Sequence, residues 1–353
     1  MDNYMKKLLT DMPEKRASDL HITSNTPIHY RIDGELVQEG DNSLTPEEAK
    51  KMIFSLMNDA GIKEFEEEKE LDFSFTIEGV ARYRANVFLQ RGLVGCAIRL
   101  IPFELMSIAE CGLPEEVVKK FCRVPKGLIL VTGATGSGKS TTLAAMVDEI
   151  NDYRKCHIVT IEDPLEFVHS NKNALIDQRQ VNSDTLSFNQ ALRHVLRQDP
   201  DVILIGELRD LESIQHALMS ADTGHLVLAT LHTSDCVQSI NRVIDVFPAH
   251  QQRQIRTQLS FVLLGVISQQ LLPRSGGKGM VLATEVLVVT PPVRAMIRDE
   301  KVHQIYSTIQ TSQRVGMKTM NQALSDLCKE NKITREEALS RSMDVEELIK
   351  LIG

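Results

Sequence analysis

Residues 133–140 read Gly-Ala-Thr-Gly-Ser-Gly-Lys-Ser, and the residues on either side decide the fold. Upstream, Gly127–Thr132 (GLILVT) is a short apolar run of strand type. Downstream, Thr141–Ile150 has helix-forming composition, with apolar residues at Leu143, Met146, Val147 and Ile150. Strand, glycine loop and helix in succession are the context in which this pattern binds phosphate. Gly133, Gly136 and Gly138 let backbone N–H groups curl around phosphate oxygens where side chains would clash. Lys139 is expected to reach the β- and γ-phosphates, Ser140 to ligate Mg²⁺, and the helix start to add a favourable dipole. Thr135, Ser137 and Thr141 belong to the same expected nucleotide-binding set. The sequence therefore points to a nucleoside triphosphate as ligand.

At 353 residues the chain is long enough for two domains with their own cores. A hydrophobic content of 42% and a charged content of 25% are those of an ordinary globular protein. The net charge of −8 argues against nucleic-acid binding through bulk positive charge. Six scattered cysteines without a C-x-x-C pair exclude zinc-site spacing and favour reduced, cytoplasmic thiols. No secretory signal opens the chain, and the apolar region Phe261–Leu272, interrupted by Ser268, Gln269 and Gln270, is too short to span a bilayer. Direct membrane insertion is not expected.

Residues 1–100 read as a small α+β domain. Asp19–Thr23 and His29–Asp33 alternate as short strands, Asp33-Gly34 signals a hairpin turn, and Leu71–Ile77 and Arg82–Phe88 alternate again. Thr45–Asn58 has helical period, opened by Thr45-Pro46-Glu47-Glu48 as cap and first turn. The charge run Glu64–Glu70 reads as a solvated helix face. The proline-marked stretch after residue 101 is the expected inter-domain linker, placed at 101–112, with a second domain over 113–353. There, apolar strands alternate with helices (127–132, 141–150, 157–162, 187–197, 201–205, 210–221, 225–230), which implies a mostly parallel sheet covered on both faces. From about Pro291 the pattern is nearly all helical, and Ser275–Gly279 reads as a flexible loop.

Val202–Glu207 is a buried strand ending in a carboxylate, expected to lie beside the P-loop strand and aim that acid at the Mg²⁺–water shell. Gly206 stands where an Asp is usual, so Glu207 is better suited to orienting and activating water than to binding metal directly, which leaves Mg²⁺ to Ser140, the phosphates and water. After the strand His157–Ile161 come Glu162, Asp163 and Glu166, at the strand end where open α/β sheets bind ligands. They could help hold Mg²⁺ or position water, or be ordinary loop acids. His225 and His232 bracket a further apolar strand; each could contact phosphate or be satisfied by backbone. Arg82, Arg84, Arg91 and Arg99 give the first domain a cluster of guanidinium groups that could supply charge to a phosphate. Arg82 and Arg84 equally fit one exposed strand face. Arg193, Arg197 and Arg209 are further candidates.

Four blocks occur in one order: GATGSGKS, TIEDPLEFVH from Thr160, DPDVILIGELRD from Asp199 and TGHLVLATLHT from Thr223. Together they resemble the Walker A, Asp box, Walker B and His box of the secretion ATPase superfamily. ASDLHIT from Ala17, FPAHQQRQIRTQLS from Phe247 and IQTSQRVGMKTMNQAL from Ile309 are similar to segments of type IV pilus retraction ATPases. The resemblance implies an α/β protein with a PAS-like N-terminal α+β domain, then a RecA-like P-loop NTPase domain with a helical C-terminal region, assembled as a homohexamer. It implies ATP and Mg²⁺, with Glu207 as catalytic base and Glu162, Glu166 and His232 assisting. Ser140, Glu162 and Glu207 would serve the metal, Asp163 and His225 the nucleotide, and Arg82, Arg84 and Arg99 the phosphates from the first domain. The expected partner is an inner-membrane platform protein, reached at the cytoplasmic face of that membrane and acting indirectly on pilin.

Several positions depart from the family pattern: Ala134 where Pro is frequent, Gln198 where an acid is common, and Val293–Glu300 in the C-terminal segment implicated in retraction. The rival machine is a pilus-assembly or type II secretion ATPase, which generally carries a longer N-terminal region and in many cases a four-cysteine zinc insert. A RecA-like nucleic-acid motor is disfavoured by the acidic balance and the lack of an aromatic strand-binding stripe. A regulatory paralogue that binds nucleotide but turns it over poorly is disfavoured by Lys139 and Glu207.

Overall fold

A computed structural model describes residues 1–32, 34–101, 105–277 and 279–353. Asp33 of the expected hairpin turn, Pro102 of the expected linker and Lys278 of the expected loop lie outside the described residues. The chain divides into two compact units, Met1–Glu104 and Leu105–Gly353.

The first unit runs α1 (Asn3–Glu14), β1 (Ala17–Thr23), β2 (Ile28–Ile32), β3 (Glu35–Glu39), α2 (Pro46–Phe54), α3 (Asp59–Glu68), β4 (Glu70–Ile77), β5 (Ala81–Gln90) and β6 (Leu93–Ile101). Its strands form one antiparallel sheet in the order β3-β2-β1-β6-β5-β4. Thr45 caps α2 as its sequence predicts: its hydroxyl accepts from the Glu48 N–H at 3.3 Å while Glu48 accepts from the Thr45 N–H at 2.9 Å. The helix expected to reach Asn58 stops at Phe54 instead, because the Asn58 side chain accepts from the Gly61 N–H and begins α3. Tyr30 and Tyr83, both buried, donate to the carbonyls of Leu8 and Leu9, tying α1 to the sheet.

The second unit runs α4 (Glu115–Cys122), β7 (Gly127–Thr132), α5 (Lys139–Tyr153), β8 (His157–Glu162), β9 (Leu175–Gln180), α6 (Phe188–Val195), β10 (Val202–Ile205), α7 (Leu211–Asp222), β11 (Leu226–Leu231), α8 (Cys236–Asp245), α9 (Ala249–Val262), β12 (Leu263–Pro273), β13 (Met280–Val288), α10 (Pro291–Arg298), α11 (Ile305–Thr311), α12 (Met320–Lys329), α13 (Arg335–Arg341) and α14 (Val345–Ile352). The sheet order is β13-β12-β7-β11-β10-β8-β9, parallel except for the antiparallel edge strand β13. Strand periodicity splits β7 between two cores: Leu128 and Leu130 pack on one face, Ile129 and Val131 on the other. Both faces are therefore covered, which is why these strands read as unbroken apolar runs.

The expectation that β10 adjoins the P-loop strand is not met. β11 lies between β7 and β10 and hydrogen-bonds to both. Gly206 follows β10, and a Cβ there would stand 3.3 Å from both the Glu162 Cα and the Ile161 carbonyl oxygen. The missing side chain lets the ends of β8 and β10 converge.

Candidate active site

The strands β7, β8, β10 and β11 end at one edge of the sheet, and a cleft opens there. Thr135, Gly136, Gly138, Lys139, Ser140 and Thr141 line it from the loop after β7. Glu162, Asp163 and Glu166 enter from the segment that ends β8, Glu207 from β10 and His232 from β11. The strand order explains the assembly: β11, between loop and acid, carries His232 to Glu207.

Gly133 and Ser137 form the buried underside of the loop. At Gly133 φ is +146°, and a Cβ would meet the Gln269 carbonyl oxygen at 2.4 Å and the Ser137 hydroxyl at 2.6 Å. Gly138 begins α5 at φ +87° with no side-chain cap. The first amides of α5 therefore have neither an intrahelical partner nor a capping side chain, and they face where an anion would sit. Lys139 Nζ folds back onto the carbonyls of Gly133 and Ala134, at 2.9 Å each. Burial lowers its pKa, and the charges of Glu207 and Glu166 oppose that shift. A cation that hydrogen-bonds, among the described residues, to carbonyls alone, beside uncapped amides, fits a polyphosphate.

Glu207 is gripped on both oxygens: Oε1 lies 3.2 Å from His232 Nε2, and Oε2 accepts from Arg209 Nε at 2.8 Å. Arg209 also reaches toward Asp163, at 3.9 Å. Glu162 Oε1 accepts from the Thr160 hydroxyl at 2.7 Å and from Gln178 Nε2 at 3.5 Å. Burial pushes the Glu162 carboxyl up to about 7 despite these hydrogen bonds. Ser140, Glu162 and Glu207 offer oxygen donors of the kind hard cations take. Among the described residues no group of three or more His, Cys, Asp or Glu side chains could hold a metal ion. A cation would thus depend on oxygens the nucleotide brings.

The raised Glu162 value has a stability consequence. Ionising a carboxyl whose folded pKa is raised costs stability as pH climbs from its unfolded value through about 7. Glu162→Gln is therefore expected to unfold at a higher temperature than wild type near pH 8, with the gap closing as pH falls to about 5. Thermal scans across that range check it; a gap that stays constant with pH would show that Glu162 is not the titrating group.

Other expected residues are placed elsewhere. His225 precedes β11 at the end opposite His232, where its Nδ1 contacts the Ser220 carbonyl at 2.9 Å. At about 3.3 Å per strand residue the two histidines are roughly 23 Å apart. A shared site for both does not form within the chain, because strand geometry sends them to opposite edges. Arg84 and Arg99 are direct cross-strand partners on β5 and β6, and Arg82 shares their face by alternation. Arg99 Nε donates to Asp19 Oδ1 at 2.8 Å, and Arg84 lies 3.8 Å from Asp72. Arg193 is engaged by Glu212 at 2.6 Å. Thr160 opens the TIEDPLEFVH block, whereas Gln178 and Gln269, which hold Glu162 and the loop, lie outside all four blocks.

The family model for type II/IV secretion system proteins matches residues 1–339. The chain belongs to that secretion system family. Over 336 residues this secretion-family chain is 47% identical to the type IV pilus retraction ATPase PilT of Pseudomonas aeruginosa, covering 95% of this chain and 97% of that protein. It is 43% identical to a twitching motility protein of Neisseria gonorrhoeae, over 98% of this chain and 92% of that one. A crystal structure of the pilus retraction motor PilT with bound ADP matches with a TM-score of 0.91 at 47% identity, over 98% of each chain. The fold is that of the secretion and pilus ATPases. Among the described residues no helix is long and apolar enough to cross a membrane.

Proposed function

We propose that this secretion-family chain is a Mg²⁺-dependent ATPase that powers type IV pilus retraction as a subunit of a homohexameric ring. The observation that carries the reading is the single cleft in which Lys139, Ser140 and Glu162 face the Glu207–His232 pair. Likeness to a retraction ATPase over nearly the whole of both chains favours retraction over assembly.

In this reading the loop amides and Lys139 bind the phosphates, Lys139 exchanging its two carbonyl partners for phosphate oxygens. Thr135, Gly136, Ser137, Gly138 and Thr141 shape the cradle. Ser140, with Glu162 and Glu207 nearby, would hold Mg²⁺, which supplies charge neutralisation at the phosphates when bound. Glu207 orients a water and takes its proton, with His232 placed to share that charge. Glu162, Asp163 and Glu166 complete the acidic wall opposite the loop. Arg82, Arg84 and Arg99 are proposed to offset phosphate charge. The ring would work in the cytoplasm against an inner-membrane platform protein and reach pilin only through it.

Deleting the gene in its source organism tests the direction of work. Excess surface pili with lost twitching, restored by complementation, is the expected result. Bald cells would make it an assembly motor. An unchanged count would sink the pilus reading.

A further inference from the structure

We propose that Gln269 is a positioning residue for nucleotide phosphate: it fixes the direction in which the Gly138 amide points. The inference rests on the nucleotide reading of the P-loop and extends it to a strand that carries none of the sequence motifs.

In the sheet, Ser268 of β12 pairs with Thr132, the last residue of β7. β12 runs on past the end of β7, and the first residue beyond the shared register, Gln269, lies beneath the loop. It meets the loop at two points. Its carbonyl oxygen occupies the space a Cβ at Gly133 would need. Its side-chain Nε2 donates to the Ser137 carbonyl at 2.9 Å across 132 residues of sequence. The C=O and N–H of one trans peptide point in opposite directions. A Ser137 carbonyl drawn down to Gln269 therefore turns the Gly138 N–H up, away from the core. Gly138 lines the cleft, whereas Ser137 is only 5% exposed. Left to itself the peptide after a glycine-rich turn could flip, presenting a carbonyl to the phosphate instead of a donor.

Packing alone does not account for a glutamine here. The residue is 1% exposed, and its Oε1 has no hydrogen-bond partner among the described residues; nor does the buried Ser137 hydroxyl above it. A half-satisfied amide costs stability that a leucine of similar size would avoid. The retained donor is the part of the side chain that does something for the loop.

The test uses full-length protein, ADP as the probe and the ligand-free melting temperature as control. Gln269→Leu is expected to bind ADP about tenfold more weakly, the loss of one oriented donor, while melting at the wild-type temperature or above. Gln269→Glu keeps the shape but donates to the Ser137 carbonyl only when protonated. Its ADP affinity relative to wild type should therefore fall as pH rises from about 6 to 9, the range in which buried carboxyls titrate. A residue that merely fills space would give no such profile. ADP affinity within about twofold of wild type in Gln269→Leu, or a Gln269→Glu protein that tracks wild type at every pH, overturns the proposal. If Gln269→Leu does not fold, the pH series decides alone. Wild-type protein that fails to bind ADP would overturn the nucleotide reading itself, and this inference with it.

Discussion

Glu207→Gln is expected to lower ATP turnover about a thousandfold while leaving ADP affinity within about twofold of wild type. The amide keeps the carboxylate's shape but accepts no proton, so it removes the base and little else. The surrounding contacts can adapt. The amide oxygen can still accept from Arg209 Nε, and the amide NH₂ can donate to His232 Nε2 if that ring places its proton on Nδ1. A thousandfold corresponds to about 4 kcal/mol of barrier, within the range of general-base catalysis.

Glu162 is the rival base, since burial raises it to about 7, close to working pH. However, its side-chain partners Thr160 and Gln178 are neutral, and among the described residues no histidine pairs with it as His232 pairs with Glu207. Single-turnover hydrolysis with direct ADP binding separates the two. Near-normal turnover in Glu207→Gln with loss in Glu162→Gln would transfer the role to Glu162.

The parts of the fold that were legible in the sequence are those where one local signal suffices. The strands at 127–132, 157–162, 202–205 and 226–231 are apolar and buried on both faces, so each reads as a run, and the helices between them carry the other period. Elements with mixed composition were not legible. β9 (LIDQRQ) is an edge strand whose polar residues face outward or hold the Asp-box segment, and it has no apolar run. β12 reads as an interrupted apolar stretch because Ser268 and Gln269, although buried, serve hydrogen bonds to Ser234 and Ser137. α1 was missed because the Leu8 and Leu9 of its apolar face acquire meaning only against Tyr30 and Tyr83 across the sheet.

At the site, chain order and spatial order differ. The sequence shows that β7, β8, β10 and β11 each end in or lead into a polar residue suited to nucleotide chemistry. It does not show that β11 inserts between β7 and β10, which is what seats His232 on Glu207. For the same reason His225 and His232, seven residues apart in one motif, look like one pair and occupy opposite edges of the sheet. Gln269 shows the limit most clearly. It touches a loop residue 132 positions away, and only the register of β12 on β7 discloses the contact.

Lys139→Gln is expected to weaken ATP binding about a hundredfold or more without lowering ligand-free stability. Both halves follow from one environment. The ammonium is partly buried, burial depresses its pKa, and its hydrogen-bond partners among the described residues are the two carbonyls of Gly133 and Ala134. A lysine whose folded pKa lies below its unfolded value costs stability at every pH below both, where it is charged in both states. Removing the charge removes that cost, and the glutamine NH₂ can still donate to one of the carbonyls. The ligand-free melting temperature should therefore stay within about two degrees of wild type or rise. ATP binding loses far more, because a triphosphate in this cleft faces Glu162, Asp163, Glu166 and Glu207, and Lys139 is the cation the loop itself provides against them. Calorimetric titration with ATP and a thermal scan of the same preparation check both halves together. Weak binding accompanied by a large drop in melting temperature would mean that Lys139 braces the loop rather than binds phosphate. Wild-type affinity would remove the loop from nucleotide binding altogether.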